Sequence, residues 1–470
     1  MFPFLIRFLS RQTLAHNDRM FIRNAIVAGV MTGVMLLVNS ARDLVIAYAF
    51  GVSGLVDSFL IAILLPNLAV QVVAGSLNTA MMPILIKTLE FRPLREAQGL
   101  IGDLTGWAVL GLLGATILTV AIGGTVYGFS GEATVFHGNS VAFTLFGLAV
   151  PLILMQGISV FWAGLSNARG KFALAAVAPA FRSLGVIVAI GISRILAFGD
   201  GDPRVLIGGL LFGVTMEFLA VGIVTRRLGF LVLPRWLVRN PACVVVLGEF
   251  LPAAGSMILM NGALFTDQVV ATSLDPGSVA ALNYATKVGT LVIGLSAVPL
   301  STVLLPYFST LLAREPQLLL RRLLQFSVII MFVSIPVTII LYHYSLFIVT
   351  IIFRHGAFTT DSAELVATTQ CYYLLQLPFY ITSMLGVRAL SAMSLNRLLT
   401  LVAGINFFLN LFLDLLLGHF MGLPGIGLAT SVMYAVAFFM IFSIIFYKAK
   451  RLPDCAMMDH IGTETVPTLE

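Results

Sequence analysis

The sequence predicts an all-α polytopic membrane protein with about twelve transmembrane helices, arranged as two six-helix lobes around a central cavity. Three observations carry that expectation. Of 470 residues, 59% are hydrophobic and only 10% charged, with a mean hydropathy of +1.02. A soluble chain carries about 25% charged residues, because it must cover its own surface with polar groups. Lipid removes that requirement. The apolar residues also fall in continuous runs, and the basic residues cluster between those runs with a strong preference for one side.

A spanning helix needs about 20 mostly apolar residues. Such runs lie at 24–49, 58–86, 102–128, 141–166, 173–197, 205–225, 244–273, 279–311, 323–353, 363–391, 398–418 and 425–447. They are continuous rather than alternating, which argues against a membrane barrel. Residues 1–23 carry Arg7, Arg11, Arg19 and Arg23 ahead of a long apolar stretch. They lack the short core and small-residue cleavage pattern of a secretory signal and read as a cytoplasmic tail.

With the N-terminus inside, the cytoplasmic loops carry Lys87, Arg92 and Arg95, then Arg169 and Lys171, then Arg226, Arg227, Arg235 and Arg239. They continue with Arg314, Arg321, Arg322 and Arg397, and the tail adds Lys448, Lys450 and Arg451. The outside loops hold only Arg194, Arg204 and Arg354. The excess of inside charge sets both termini in the cytoplasm. The expected division is a tail at 1–23, an N-terminal lobe at 24–227, a cytoplasmic linker at 228–243, a C-terminal lobe at 244–447 and a tail at 448–470. A net charge of +6 is accounted for by this topology, so no nucleic-acid partner is expected.

Other function classes lose support in turn. Cys243, Cys371 and Cys455 have neither metal nor disulfide spacing, and the first two read as small apolar fillers. There is no phosphate-binding Gly-Lys-Ser/Thr loop and no HExxH pair, so neither direct ATP drive nor an enzyme is expected. A weak internal repeat supports two lobes. Met82-Pro83-Ile84-Leu85 on the second run resembles Leu305-Pro306-Tyr307-Phe308 on the eighth. Ser166-Asn167-Ala168-Arg169 resembles Ser394-Leu395-Asn396-Arg397 in the same way. Parallel repeats related by an axis along the membrane normal are a common plan for alternating access.

Ionisable residues at bilayer depth are costly and mark cavities or partners. One group is Arg42, Asp43 and Asp57 on the first hairpin, with Lys287 on the eighth run. Cationic side chains there suit an anionic headgroup such as a diphosphate; the structural alternative is an Arg42–Asp57 pair that fixes the hairpin. A second group is Asp267, Asn410, Asp414 and Thr430, with the Ile426 carbonyl nearby. Asn410 and Asp414 are four apart on one helix face. Oxygen ligands of this kind suit Na+ or a proton relay; the alternative is an interhelical hydrogen-bond cluster. A third group, Arg182, Glu217, Glu249 and Arg388, reads as structural, with Arg182 and Glu217 able to pair.

Several segments resemble the MurJ/MviN family of lipid II flippases, within the multidrug/oligosaccharidyl-lipid/polysaccharide exporter superfamily. They are Ala41-Arg42-Asp43 with Ala47-Tyr48-Ala49-Phe50-Gly51 and Asp57-Ser58-Phe59, then Leu65-Pro66-Asn67-Leu68. Pro151-Leu152-Ile153, Lys171-Phe172-Ala173 and Ala178-Pro179 follow, and then Tyr284-Ala285-Thr286-Lys287. The match closes with Phe353-Arg354-His355-Gly356-Ala357-Phe358-Thr359 and Gly425-Ile426-Gly427-Leu428-Ala429-Thr430-Ser431.

The resemblance implies export of a polyprenyl-diphosphate-linked glycan from the cytoplasmic to the outer leaflet of a bacterial plasma membrane. Its headgroup would sit in a cationic cavity that includes Arg42, Asp43, Asp57 and Lys287, the last standing where the family usually has arginine. The implied partners are the lipid-linked glycan, membrane lipids and cell-wall or polysaccharide synthesis enzymes. No cofactor beyond a coupling Na+ or H+ is expected. The sequence departs from the family at Val70, Gln71 and Gly75, where the family typically carries two arginines and a glutamate. The family also commonly has two further C-terminal helices, where this sequence ends in the polar tail Leu452–Glu470. These departures leave open an exopolysaccharide or O-antigen-type lipid-linked substrate, a cation-coupled multidrug-type exporter, and a membrane scaffold that does not transport.

Overall fold

The computed structural model describes residues 16–92, 94–128, 140–196, 201–230, 233–235, 241–315 and 317–449. Arg7, Arg11, Arg239, Lys450, Arg451 and Cys455 lie outside the described residues. The first half builds helices α1 (His16–Phe50), α2 (Gly54–Val70), a π-helical turn (Gln71–Gly75), α3 (Ser76–Phe91), α4 (Leu94–Gly128), α5 (Ser140–Ala168), α6 (Phe172–Val177), α7 (Ala180–Leu196) and α8 (Arg204–Arg227). The second half builds α9 (Pro241–Ala271), α10 (Ser278–Arg314), α11 (Leu318–His343), α12 (Ser345–Phe353), α13 (Thr360–Leu374), α14 (Leu377–Ala392), α15 (Asn396–Met421) and α16 (Leu423–Ala449). No strand occurs among the described residues. The chain is an all-α, multi-pass membrane protein, as its composition requires.

Eleven stretches among the described residues are long and apolar enough to cross a membrane. The run at 363–391 is the exception, because it divides into α13 and α14 at Leu375 and Gln376. Pro378, at the start of α14, supplies the reason. It has no amide hydrogen to donate to the preceding turn. Pro66, Pro83, Pro151, Pro252 and Pro336 are instead carried inside continuous helices.

The helices form two compact units. The first comprises the described residues of Met1–Val45, Ala62–Phe129 and Ser140–Gly255, the second those of Ile46–Ile61 and Ser256–Glu470. In the first unit, Met81 and Leu85 of α3, Leu100 and Leu104 of α4, Phe161 of α5 and Val221 of α8 form the main core. Helices α7 and α8 pack backbone to backbone. A Cβ at Gly213 would lie 2.5 Å from the Phe181 carbonyl, and one at Gly185 would strike the Gly209 carbonyl. Small residues allow this approach where lipid supplies no hydrophobic drive between helices.

The linker after α8 is docked on α4 over its described residues. The Arg235 amide donates to the Gly102 carbonyl at 2.9 Å. The Gln98 side chain donates to the Gly229 carbonyl at 2.7 Å. The Arg169 guanidinium lies 5.2 Å from the centre of the Phe230 ring.

In the second unit, Phe308 of α10, Leu323 of α11, Leu385 of α14 and Ile445 of α16 share one core. Residues 46–61 fold against this unit. The Ala357 amide donates to the Tyr48 carbonyl at 3.0 Å. Gly51 and Gly356 both adopt a φ of 63°, and a Cβ at either would strike a carbonyl oxygen of the opposite segment. Glycine is therefore required twice, by backbone conformation and by close approach. The Tyr284 ring sits 5.3 Å from Phe353 and 5.8 Å from Phe358, closing the same corner.

Candidate functional site

The first group of intramembrane charges divides between the units. In the first, Arg42 Nε and Nη2 both donate to Asp43 Oδ1, at 3.0 and 2.7 Å. Adjacent residues on a helix point about 100° apart, and here the long arginine side chain bends back to its neighbour. Asp43 is buried. In the second unit, Asp57 accepts the Gly277 amide at 2.5 Å and the Ala280 amide at 2.7 Å. These are orphan donors at the start of α10, where a carboxylate also meets the positive end of the helix dipole. Gly277 reaches this geometry with a φ of 96°. Each member of the Arg42–Asp57 pair weighed above is thus engaged within its own unit. Lys287 lies further along α10 and is half-buried.

The second group comes together. Asn410 Nδ2 donates to Asp267 Oδ1 at 2.6 Å and to Asp414 Oδ2 at 2.7 Å. The Thr430 hydroxyl reaches Asp267 Oδ2 at 3.1 Å and the Ile426 carbonyl at 3.2 Å. Helices α9, α15 and α16 therefore meet at a single buried polar node. Asn410 and Asp414 are fully excluded from solvent. Among the described residues, nothing donates to Asn410 Oδ1 or Asp414 Oδ1, although both are buried. Such orphaned acceptors are rare in native structures and call for an explanation. Two carboxylates sharing one dry site cannot both stay ionised without a proton or a cation between them.

The donor set is two carboxylates, an amide, a hydroxyl and a backbone carbonyl, all hard oxygens. It fits a small monovalent ion or a proton. Among the described residues no three His, Cys, Asp or Glu side chains gather as a transition metal would need. Thr266, next to Asp267, adds a hydroxyl 3.3 Å from Asn410 Nδ2. Its hydroxyl also donates to the Ala263 carbonyl at 2.8 Å, as a threonine in any span can do, so the sequence carries no signal that sets it apart.

Within the third group, Arg182 and Glu217 pair. Arg182 Nε and Nη2 donate to the two Glu217 oxygens at 2.6 and 3.1 Å, a two-pronged pair joining α7 to α8. The adjacent Ser183 hydroxyl donates to Asn39 Oδ1 of α1 at 2.6 Å. Val70, Gln71 and Gly75 fall on or beside the π-helical turn. Val70 is buried with Val73, Ala74, Leu112 and Ile153, whereas Gln71 is exposed. Nothing in the local sequence announces this turn, because it follows from packing against α4 and α5.

A chain of stacked spanning helices, with charged and amide groups held inside the spans, belongs to the class of polytopic membrane proteins. The solved structure described as "Lipid II flippase MurJ, inward closed conformation" is similar over 89% of this chain and 87% of that one. It has a TM-score of 0.75 at 24% identity. A multidrug resistance MATE family transporter of the MOP superfamily, in its inward-facing conformation, is similar with a TM-score of 0.66 at 14% identity, covering 91% of this chain and 98% of that one.

These likenesses concern the fold. The family model described as "Lipid II flippase MurJ" matches residues 46–467, and the chain belongs to that family. A Thermotoga maritima protein described as "Probable lipid II flippase MurJ" is 28% identical over 404 residues, 84% of this chain and 80% of its own length. A Synechocystis protein of the same description is 26% identical over 432 residues, covering 88% and 79%. Membership places the chain among lipid-flipping transporters and not among enzymes.

Proposed function

We propose that this chain is a flippase that carries lipid II, a polyprenyl-diphosphate-linked peptidoglycan precursor, from the cytoplasmic to the outer leaflet of a bacterial plasma membrane by alternating access. The observation that carries the reading is the family match over residues 46–467. Both termini are cytoplasmic on the strength of loop charge. Arg42, Asp43, Asp57 and Lys287 serve the substrate headgroup, with Lys287 supplying positive charge to the diphosphate. Cell-wall synthesis enzymes supply and consume the lipid. The node of Asp267, Asn410, Asp414 and Thr430 takes up the coupling ion, Na+ or a proton. Its two orphaned oxygens support that role.

Complementation tests the substrate. The chain is expressed in a bacterium whose own lipid II flippase can be switched off, and growth and outer-leaflet lipid II are followed. Rescue is the expected result. Failure with folded protein present in the membrane favours a different lipid-linked glycan, a second reading that the uncharged Val70, Gln71 and Gly75 support. For the headgroup contact, Lys287→Ala is expected to lower transport by more than tenfold while Lys287→Arg keeps most of it, because a paired charge–phosphate contact contributes about 1.5–3 kcal/mol. Equal activity of the two variants refutes the role.

A further inference from the structure

We propose that span two presents an uncharged row, Asn67, Gln71 and Thr79, that recognises the sugar portion of the transported lipid and so sets glycan specificity. The inference rests on the flippase reading and deepens it.

The row is built by the π-helical turn. In an α-helix, positions four apart drift by about 40° per step, so three steps carry a residue off the starting face. The turn at Gln71–Gly75 has wider i→i+5 bonding and removes most of the drift midway. Asn67, Gln71, Gly75 and Thr79 therefore stay in line across α2 and α3. Asn67, Gln71 and Thr79 are exposed. Val70, Val73 and Ala74 face the other way, into the cluster with Leu112 and Ile153. Gly75 adds no side chain, and its carbonyl accepts the Thr79 hydroxyl at 2.9 Å.

These residues sit inside the continuous apolar stretch Gly54–Phe91. An exposed amide there cannot face acyl chains without losing its hydrogen bonds, so the row faces water or a polar ligand. Among the described residues, no group accepts a hydrogen bond from the Gln71 amide. Buried Gln156 of α5 donates to Asn67 Oδ1 at 3.4 Å. That contact engages the Asn67 oxygen, while Asn67 as a residue stays exposed. The row holds amides and a hydroxyl but no charge, so it has nothing with which to neutralise a phosphate. Side chains that both donate and accept are matched to sugar hydroxyls.

The test compares two probes in proteoliposomes: a polyprenyl diphosphate bearing a disaccharide and the same diphosphate bearing none. Gln71→Leu keeps the size of the side chain and removes its hydrogen bonds. It is expected to lower transport of the disaccharide lipid about tenfold more than that of the bare lipid, the loss of one or two good hydrogen bonds. An equal effect on both lipids, or no effect on either, overturns the proposal.

Gln71→Cys, in a chain whose three native cysteines are replaced by alanine, provides a readout independent of transport and of Gln71→Leu folding. A hydrophilic thiol reagent should label it, and the disaccharide lipid should protect it better than the bare lipid. Absence of labelling, or equal protection, again overturns the inference. Wild-type protein that flips neither lipid sinks the flippase reading instead, while the protection measurement still decides whether the row binds sugar.

Discussion

Asp57 and Asp414 are both buried carboxylates, yet their surroundings give them opposite tasks. Asp57 is answered by backbone amides of α10 at both of its oxygens. Removing such a cap costs about 0.5–2 kcal/mol, and Asp57→Ala should lower the melting temperature of purified protein in detergent. Asp414 has one oxygen bonded to Asn410 and one unanswered, with a second carboxylate in the same node. If a cation fills that gap, Na+ should raise the melting temperature of the wild type and leave Asp414→Ala unmoved. A salt-independent wild type that is equally independent of pH would remove the coupling role from this node.

Arg182 and Glu217 make a third case. Breaking a buried pair from one side leaves an uncompensated charge and costs about 3–5 kcal/mol. Arg182→Ala should therefore destabilise the protein far more than the double change Arg182→Met with Glu217→Leu. Similar losses in the single and double variants, measured by thermal unfolding, would contradict a mainly electrostatic origin.

At the scale of elements, the spans differ in what fixes their shape. The contact between α7 and α8 depends on glycine, since a Cβ at Gly213 would meet the Phe181 carbonyl and Arg182 Cα at 2.5 and 2.7 Å. Gly213→Val should push the helices apart, cost about 1–3 kcal/mol or more through overpacking, and loosen the Arg182–Glu217 pair. The linker is held by a similar device. A Cβ at Gly106 would collide with the Arg235 carbonyl, so Gly106→Ala should lift the linker and speed its cleavage by a protease added to the purified protein in detergent. An unchanged cleavage rate would mean that the docked linker is not protected by α4. Span ten is shaped by Pro378 at the head of α14, which breaks an apolar run that hydropathy alone joins into one helix.

For the whole molecule, the order of spans and all but one of the expected crossings were legible, because membrane insertion selects on average hydropathy and loop charge, both additive along the chain. The acidic node was legible for a related reason. Asp, Asn and Thr are costly in lipid, and the spacing of Asn410 and Asp414 put them on one face before any partner helix was known. The π-helical turn, the orphaned oxygens and the docking of Arg235 were not legible, since each depends on which backbone comes near, and apolar runs look alike to one another.

Composition and run length by themselves determined an all-helical, multi-pass membrane protein, and short motifs pointed to its family. Only the tertiary structure decided that residues 46–61 fold with the second unit, that the amides of Gly277 and Ala280 donate to Asp57, and that Gln71 is exposed while Val70 is buried. The physical reason is that lipid-driven burial is non-directional and readable from content, whereas hydrogen-bond satisfaction and backbone approach are directional and exist only once the helices have chosen their neighbours.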